Sequence, residues 1–279
     1  MLYKQVKFFF KPDNPENTGL LVARLLQLKF ESFFEEEDGL SAFIPSRLLD
    51  IGSVKALLHD PLFNALKLSF EISDLPDKNW NEEWEKNYDP VLIEPVCSIL
   101  APFHHDTNTE YIIRIEPKMS FGTGHHETTR LMIKHIYDTA IESLTVLDMG
   151  CGTGVLGIFA YMRGASFITA IDIDEWAYRN STENFQVNQV PVNKREILLG
   201  GADSIPVRGY DIILANINLN ILLQDMNKYI ARLNPGGVLI FSGLLSTDRQ
   251  VFLEAALGYG ISFVSELCEN NWISLKFST

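Results

Sequence analysis

The sequence predicts an α/β protein in which a larger parallel-sheet domain follows a smaller α+β domain. From residue 145 onward, short apolar runs alternate with helix-like stretches, which is typical of parallel strands buried on both faces. Before residue 74, shorter segments follow the order β-α-β-β-α-β, the ferredoxin-like plan. A chain of 279 residues also fits about two domains. We therefore expect a small domain over 1–73, a connector over 74–90 and the larger domain over 91–279.

The elements of the small domain follow from alternating apolar residues and from turn residues. Asp13-Asn14-Pro15 predicts the capped start of a helix, and Gly52 predicts an interruption in the second helical stretch. An acidic run over 35–38 is either a solvated turn or a patch for a basic partner. The predicted elements are a strand over 2–10, a helix over 15–28, strands over 30–36 and 40–44, a helical stretch over 45–59 and a strand over 64–72.

Composition limits the classes of function. The net charge of −13 disfavours a free nucleic acid as partner, because phosphate binding needs clustered Lys and Arg, and it favours a basic protein. No apolar run approaches the roughly 20 residues of a membrane span, and the N-terminus lacks the apolar core of a signal peptide. Three widely spaced cysteines fit a reducing cytoplasm. A monomer is the default expectation.

The connector is polar and acidic, and Trp80 and Trp84 are spaced to share one face of a helix. Short strands are predicted after it, over 91–93, 96–101 and 111–116. They form a layer that leads into the parallel sheet.

The central motif of the larger domain is a glycine turn between a strand and a helix. The strand over 145–149 leads into Asp148-x-Gly150-x-Gly152-x-Gly154, and the helix over 155–162 follows. This arrangement lets the backbone approach a nucleotide or cofactor closely. Asp172 ends the next apolar run, where a carboxylate can accept hydrogen bonds from ribose hydroxyls.

Three interpretations of this turn are possible. Gly152, Gly154 and Gly157 spell the dinucleotide fingerprint G-x-G-x-x-G, but in that fingerprint the first glycine ends the strand. Counted from Gly150, the third glycine should be residue 155, which is valine. A turn without a ligand would not need three alternate glycines. The motif instead resembles the first motif of S-adenosylmethionine-dependent methyltransferases of the Rossmann-like class.

The rest of the larger domain supports that resemblance. Further strands are predicted over 167–171, 196–199, 211–215 and 237–242, with a turn at 234–237. Two last strands, over 261–267 and 272–277, form an antiparallel hairpin that closes the parallel sheet, as in the methyltransferase fold.

A second polar motif, Phe121-Gly-Thr-Gly-His-His-Glu-Thr-Thr-Arg130, precedes the glycine turn. Its Thr128 and Thr129 lie just inside a helix, where their hydroxyls can contact a ligand or cap the helix. The histidine pairs 104–105 and 125–126 lack the accompanying ligands of a closed metal site, so no metal is expected. A histidine acting as general base stays open.

Together these stretches resemble the ribosomal protein L-eleven methyltransferase family. The resemblance is specific from about residue 79 to 279, through the two motifs above, Ala170-Ile-Asp-Ile-Asp174, Leu214-Ala-Asn-Ile217 and Asn271-Trp272. Over 1–73 it depends on the predicted topology and position, with little support from sequence motifs. The family methylates amino groups of a large-subunit ribosomal protein with S-adenosyl-L-methionine.

The resemblance implies a set of cofactor contacts. Asp172 would hold the ribose hydroxyls, Ile173 would pack on the adenine, and residues 121–124 would close over the cofactor. The implied cofactor-binding residues are Phe121, Thr123, Gly124, Thr128, Thr129, Asp148, Gly150, Gly152, Gly154, Asp172, Ile173, Ala202, Asp203 and Asn216.

Asn216 is also the implied catalytic residue, because its side-chain carbonyl can orient the lone pair of an incoming amine. A role confined to turning the chain is the simpler alternative. The expected function is methylation of lysine and N-terminal amines, with the small domain holding the ribosomal protein. The alternatives are a methyltransferase for another protein or a small molecule, and a cofactor-binding protein without transfer activity.

Overall fold

The chain forms two compact units, Met1–Asn87 and Tyr88–Thr279. The computed structural model describes residues 3–10, 15–36, 39–74, 85, 88–118 and 120–279. Trp80 and Trp84 of the predicted connector, and the predicted cap at 13–14, lie outside the described residues.

The N-terminal unit has the predicted β-α-β-β-α-β order. Its four-stranded sheet has the strand order β2-β3-β1-β4, with antiparallel neighbours throughout. Val6, Phe8, Leu21 and Leu25 are fully buried between the sheet and the helices. The elements are β1 Tyr3–Phe9, α1 Pro15–Gln27, β2 Ser32–Glu36, β3 Gly39–Pro45, α2 Ile51–Leu57 and β4 Ser69–Asp74.

Two predictions for this unit were wrong in detail. The second helical stretch is broken before Gly52, at Asp50, whose carboxylate accepts a hydrogen bond from the Gly52 N–H at 2.9 Å and so caps α2. The predicted strand over 64–72 begins only at Ser69. A 3₁₀ helix occupies Pro61–Leu66, because Asp60 caps it and proline fits its first turn.

The larger unit contains a seven-stranded sheet with the order β10-β9-β8-β11-β12-β14-β13. The first five strands are parallel, and β14 and β13 form the antiparallel hairpin that the sequence predicts. The strands are β8 Thr145–Met149, β9 Phe167–Asp172, β10 Arg195–Leu199, β11 Tyr210–Asn216, β12 Leu233–Leu245, β13 Ser262–Glu269 and β14 Trp272–Ser278. The turn predicted at 234–237 lies inside β12, where the pairing with β11 shifts register.

Helices and a small sheet complete this unit. The helices are α3 Glu127–Tyr137, α4 Val155–Met162, α5 Glu175–Val187, α6 Leu219–Ile230 and α7 Arg249–Gly258. The lead-in strands β5 Val91–Ile93, β6 Cys97–Leu100 and β7 Tyr111–Arg114 form a separate three-stranded sheet. In the part of the chain that the structure describes, no helix is both long and apolar enough to cross a membrane.

Both faces of the parallel sheet are buried. Along β11, Ile212 and Leu214 pack on one side, and Ile213 and Ala215 pack on the other. This explains why the strand reads as an uninterrupted apolar run. The strand order reverses between β8 and β11, and ligands of open α/β sheets bind at the carboxyl ends of strands at such a point.

Candidate active site

A cavity of about 830 Å³ lies at the carboxyl ends of the central strands. Met149 at the end of β8, Asp172 at the end of β9 and Asn216 at the end of β11 all line it. The cavity therefore occupies the crevice where the strand order reverses.

The glycine turn forms the floor of this cavity. Gly150 and Gly152 have φ of +63° and +55°, in the left-handed region that side chains disfavour. A Cβ on Gly150 would lie 2.4 Å from the Ile217 side chain, and one on Gly152 would lie 2.3 Å from the carbonyl oxygen of Phe121. Both positions therefore require glycine, and the bare backbone is left open to a ligand.

Asp172 is fixed at the cavity wall by two backbone N–H groups. One carboxylate oxygen accepts from Gly152 at 2.8 Å, and the other accepts from Asp174 at 3.0 Å. The cap of α5 is Asp174, which accepts from the Trp176 N–H at 2.8 Å. Asp172 is therefore not needed as the helix cap, and each of its oxygens keeps a lone pair for a hydroxyl donor.

Asn216 ends β11 at the same wall. Its side-chain carbonyl oxygen is buried and has no hydrogen-bond partner among the described residues. Gly243, with φ of +82°, brings β12 so close that a Cβ there would lie 2.3 Å from the carbonyl oxygen of Ile217. This close approach holds Ile217, the residue after Asn216. The side-chain carbonyl oxygen of Asn216 then remains at the cavity as an unused hydrogen-bond acceptor.

Aromatic side chains form another part of the wall. The His126 ring lies between Phe121, with ring centroids 5.4 Å apart, and Trp272, with centroids 4.7 Å apart. His126 also caps α3, because its Nδ1 accepts from the Thr128 N–H at 3.3 Å. That bond leaves the ring proton of the neutral histidine on Nε2.

Ion pairs hold the hairpin that carries Trp272. The Arg130 guanidinium donates to the Glu269 carboxylate at 2.8 and 2.5 Å, and Asn270 donates to Glu127 at 2.8 Å. The pKa of Glu127 is lowered, first by a hydrogen bond from its own backbone N–H and then by the Asn270 bond and the nearby Arg130. The turn between β13 and β14 is thus tied to the start of α3, which fixes Trp272 beside His126.

The remaining wall carries charged groups. Lys228 on α6 lies 2.9 Å from carboxylate oxygens of both Asp203 and Asp225, and these bonds raise its pKa. Asp203 lies in the loop after β10, so its ion pair with Lys228 joins this loop at the edge of the sheet to helix α6.

The structure places most of the predicted cofactor contacts around the cavity. Those that line it are Phe121, Thr128, Gly150, Gly152, Asp172, Ile173, Ala202, Asp203 and Asn216. Thr123 lines an adjoining cavity of about 480 Å³.

Gly124, Thr129, Asp148 and Gly154 line neither cavity. Asp148 is fully buried, its carboxylate accepts from the Gly157 N–H at 2.9 Å, and burial raises its pKa to about 7. Thr129 is also fully buried. A Cβ on Gly124 would meet Ile99, and one on Gly154 would meet Phe185. These four residues lie behind the cavity wall, and their contact with the cofactor stays a prediction.

Other lining residues were missed by the sequence analysis. They include Gln224, Asp225 and Lys228 on one face of α6, together with Tyr229, Gly243 and Trp272. The i, i+4 spacing of Gln224 and Lys228 was the available signal, but it is equally typical of a solvated helix face.

His104 and His125, one from each histidine pair, contact backbone carbonyl groups. His104 Nδ1 accepts from the Ala101 N–H at 3.0 Å, and its Nε2 lies 2.6 Å from the carbonyl oxygen of Tyr88. His125 Nε2 lies 3.1 Å from the carbonyl oxygen of Asp89. Within the described ranges, no group of three or more His, Cys, Asp or Glu is placed to hold a metal ion.

Comparison with known proteins supports a specific relationship. Residues 23–279 match the family model described as ribosomal protein L11 methyltransferase (PrmA). The chain is 41% identical to the ribosomal protein L11 methyltransferase of Phocaeicola vulgatus over 280 residues, 99% of each chain. It is 35% identical to that of Chlorobaculum parvum over 263 residues, 91% of this chain and 90% of the relative.

A solved structure agrees with these matches. The ribosomal protein L11 methylase of Lactobacillus delbrueckii subsp. bulgaricus superposes with a TM-score of 0.63 at 26% identity, covering 68% of this chain and 98% of the other. The sequence relatives also cover the N-terminal unit, where the motifs alone gave little support.

The sheet order, the glycine turn at the switch point and the acid at the end of β9 define a Rossmann-like S-adenosylmethionine-dependent methyltransferase. The open glycine backbone, the anchored Asp172 and the unused acceptor of Asn216 fit that cofactor. The chain belongs to the ribosomal protein L11 methyltransferase (PrmA) family.

Proposed function

We propose that this enzyme methylates lysine side-chain and N-terminal amino groups of ribosomal protein L11. Family membership supports the choice of substrate. The observation that carries the chemistry is the unpaired carbonyl oxygen of Asn216, buried in a cavity that also has an aromatic wall. Such a site offers a hydrogen-bond acceptor to an incoming amine.

The first requirement is a neutral amine. A lysine amine has an unperturbed pKa near 10.4, so it must lose a proton before it can attack. Phe121, His126 and Trp272 form an aromatic part of the cavity wall, and partial desolvation of an amine beside them would lower its pKa. Nδ1 of His126 already accepts from the Thr128 N–H, so we propose that this proton is lost to solvent.

The second requirement is alignment. S-adenosylmethionine supplies an electrophilic methyl group on its sulfonium when it is bound. The side-chain carbonyl oxygen of Asn216 accepts a hydrogen bond from an N–H of the target amine and so directs the nitrogen lone pair toward the methyl group. Asp172 receives the ribose hydroxyls, Ile173 covers the adenine, and the backbone at Gly150 and Gly152 passes under the remainder of the cofactor.

We assign substrate recognition to the N-terminal unit. Its sheet has an aromatic face on which Phe34 is 66% exposed, and Phe43 and Phe9 share that face by strand register. Glu36 on the same face is neutralised by Lys7 at 2.5 Å, and the exposed Glu71, opposite Lys7 in the register, adds a negative charge beside the aromatic groups. Exposed aromatic side chains next to acidic groups suit a basic ribosomal protein.

Replacing Phe34 with serine should therefore raise KM for the ribosomal protein about tenfold, because exposed aromatic anchors dominate binding energy. The affinity for S-adenosylmethionine should not change. The matched control is Leu62→Ser, since Leu62 is 61% exposed in the same unit but lies in the 3₁₀ helix before β4. Steady-state kinetics with purified ribosomal protein measures both. Equal KM values for the two variants would show that this face of the sheet does not contribute to recognition of the ribosomal protein.

Mass spectrometry of large-subunit ribosomal proteins tests the proposed function directly. After incubation with the enzyme and S-adenosylmethionine, we expect mass steps of one methyl group on ribosomal protein L11 alone. Asp172→Ala should lose them, because the carboxylate that receives the ribose and braces Gly152 is gone. Cofactor binding by calorimetry without any mass gain would instead favour another substrate, or a binding protein without transfer activity.

We propose the class of partner from the net charge and the cellular compartment from the cysteines. The partner is a basic protein and not a free nucleic acid, in keeping with the net charge of −13. Cys97, Cys151 and Cys268 are free thiols, which suits the reducing cytoplasm where ribosomes assemble. We propose that the enzyme works there as a monomer.

A further inference from the structure

Thr153 lies inside the glycine turn, and its side chain is fully buried. Its N–H donates to the carbonyl oxygen of Phe121 at 2.9 Å, and its hydroxyl donates to that of Gly122 at 2.7 Å. Both bonds reach the segment 121–124, which contributes Phe121 to the cavity wall. One threonine thus connects the floor of the cavity to its aromatic wall.

The two segments pack in direct contact. A Cβ on Gly152 would lie 2.3 Å from the carbonyl oxygen of Phe121, and one on Gly122 would lie 2.9 Å from the Thr153 hydroxyl. The Phe121 side chain is itself 56% exposed, so its packing does little to fix it. Its position depends on the backbone bonds to Thr153.

The carbonyl oxygen of Thr153 is anchored on the opposite side. It accepts from the side-chain N–H of Asn184 on α5 at 2.9 Å. The side-chain carbonyl oxygen of Asn184 accepts in turn from the Glu116 N–H at 2.9 Å. One turn further along α5, Asn188 makes both bonds to the backbone of Arg114, at 2.8 and 2.6 Å. The side-chain amides of Asn184 and Asn188 therefore link the glycine turn to the end of β7 and the residues that follow it.

We propose that Thr153 is a positioning residue that holds segment 121–124 against the glycine turn and thereby sets how long the cofactor stays bound. The hydroxyl acts through the segment and need not touch the cofactor. The proposal depends on the cofactor site and not on the identity of the protein substrate, so the two can fail separately.

The test compares Thr153→Val, which keeps the shape and removes the hydroxyl, with Thr153→Ser, which keeps the hydroxyl. Loss of one buried hydrogen bond should speed dissociation of S-adenosylmethionine roughly five- to tenfold in the valine variant. The serine variant should remain within about twofold of the wild type. Stopped-flow displacement of S-adenosylmethionine by excess S-adenosylhomocysteine measures the rates.

Hydrogen exchange provides a readout without cofactor. The amide of residue 153 donates to Phe121, so in the cofactor-free protein it should exchange faster in Thr153→Val, while amides of β8 keep wild-type rates. The control is Thr182→Val on α5, where the lost hydroxyl bond, 2.7 Å to the Tyr178 carbonyl, is internal to the helix. Unchanged dissociation and exchange in Thr153→Val, or a serine variant as fast as the valine variant, would overturn the proposal.

A second variant covers the case in which Thr153→Val does not fold. Gly122→Ala adds a Cβ that would lie 2.9 Å from the Thr153 hydroxyl, so it disturbs the same bond from the side of segment 121–124. Faster cofactor dissociation in this variant supports the positioning role, and a wild-type rate contradicts it.

Discussion

Gly152→Ala is expected to abolish measurable cofactor binding and to lower the free energy of unfolding by about 2–5 kcal/mol. With φ of +55°, an alanine at this position costs about 1–2 kcal/mol of backbone strain. Its Cβ would also lie 2.3 Å from the Phe121 carbonyl oxygen, and overpacking of this kind costs about 1–3 kcal/mol more. Because that oxygen accepts from Thr153, relieving the clash displaces the aromatic wall of the cavity.

Urea unfolding and calorimetry of S-adenosylmethionine binding measure the two effects. The control is Gly19→Ala in α1, where nothing lies within 4 Å of the added Cβ and the backbone is helical. This substitution should raise the free energy of unfolding by up to about 1 kcal/mol, since alanine is the better helix former. Similar stability in the two variants, with cofactor binding retained, would show that the turn relaxes at little cost.

Much of the fold follows from the sequence because buried parallel strands have an unmistakable pattern. β8, β9 and β11 are apolar runs that must be covered on both faces, and each begins and ends within a few residues of its predicted bounds. The errors lie where local capping outweighs periodicity. Asp60 and Pro61 impose a 3₁₀ helix on residues that alternate like a strand, and Asp50 caps α2, which begins at Ile51.

For the candidate site, sequence identifies the strand ends but not which side chains reach the cavity. Asp148 and Asp172 both stand at the ends of apolar strands, yet Asp148 is buried beneath the turn and Asp172 lines the cavity. The difference depends on the direction of each side chain, which follows from the helix packed behind the turn. Gly157 on α4 supplies the N–H that draws Asp148 inward.

The aromatic wall could not be derived from sequence spacing. His126 and Trp272 are 146 residues apart, and they meet only because β14 lies next to β12 while Arg130 and Glu127 bind the hairpin turn. Contacts of this kind depend on sheet order and on ion pairs between distant segments. Neither leaves a local pattern.

Asn216→Ala is expected to reduce the methyl-transfer rate about 100-fold, because misalignment of the amine by about 1 Å has an effect of this size. The affinity for S-adenosylmethionine should fall by less than about tenfold, the equivalent of one hydrogen bond. Single-turnover kinetics with saturating cofactor separates the two quantities. Stability should change little, since the buried carbonyl of Asn216 has no partner in the described part of the protein that would be left unsatisfied.

Asn234→Ala, near the start of the neighbouring strand β12, is the matched control at the opposite end of the sheet. Asn234 donates to the Asp211 carboxylate at 2.7 Å near the start of β11, far from the carboxyl ends where the cavity lies. Its loss should lower the free energy of unfolding by about 1 kcal/mol and leave the transfer rate within about twofold of the wild type. If Asn216→Ala behaves like this control, Asn216 only ends the strand, and alignment of the amine must come from the aromatic wall. A lower transfer rate in Asn216→Ala and lower stability in Asn234→Ala would together mean that the carbonyl oxygen of Asn216 is kept free to bind the substrate.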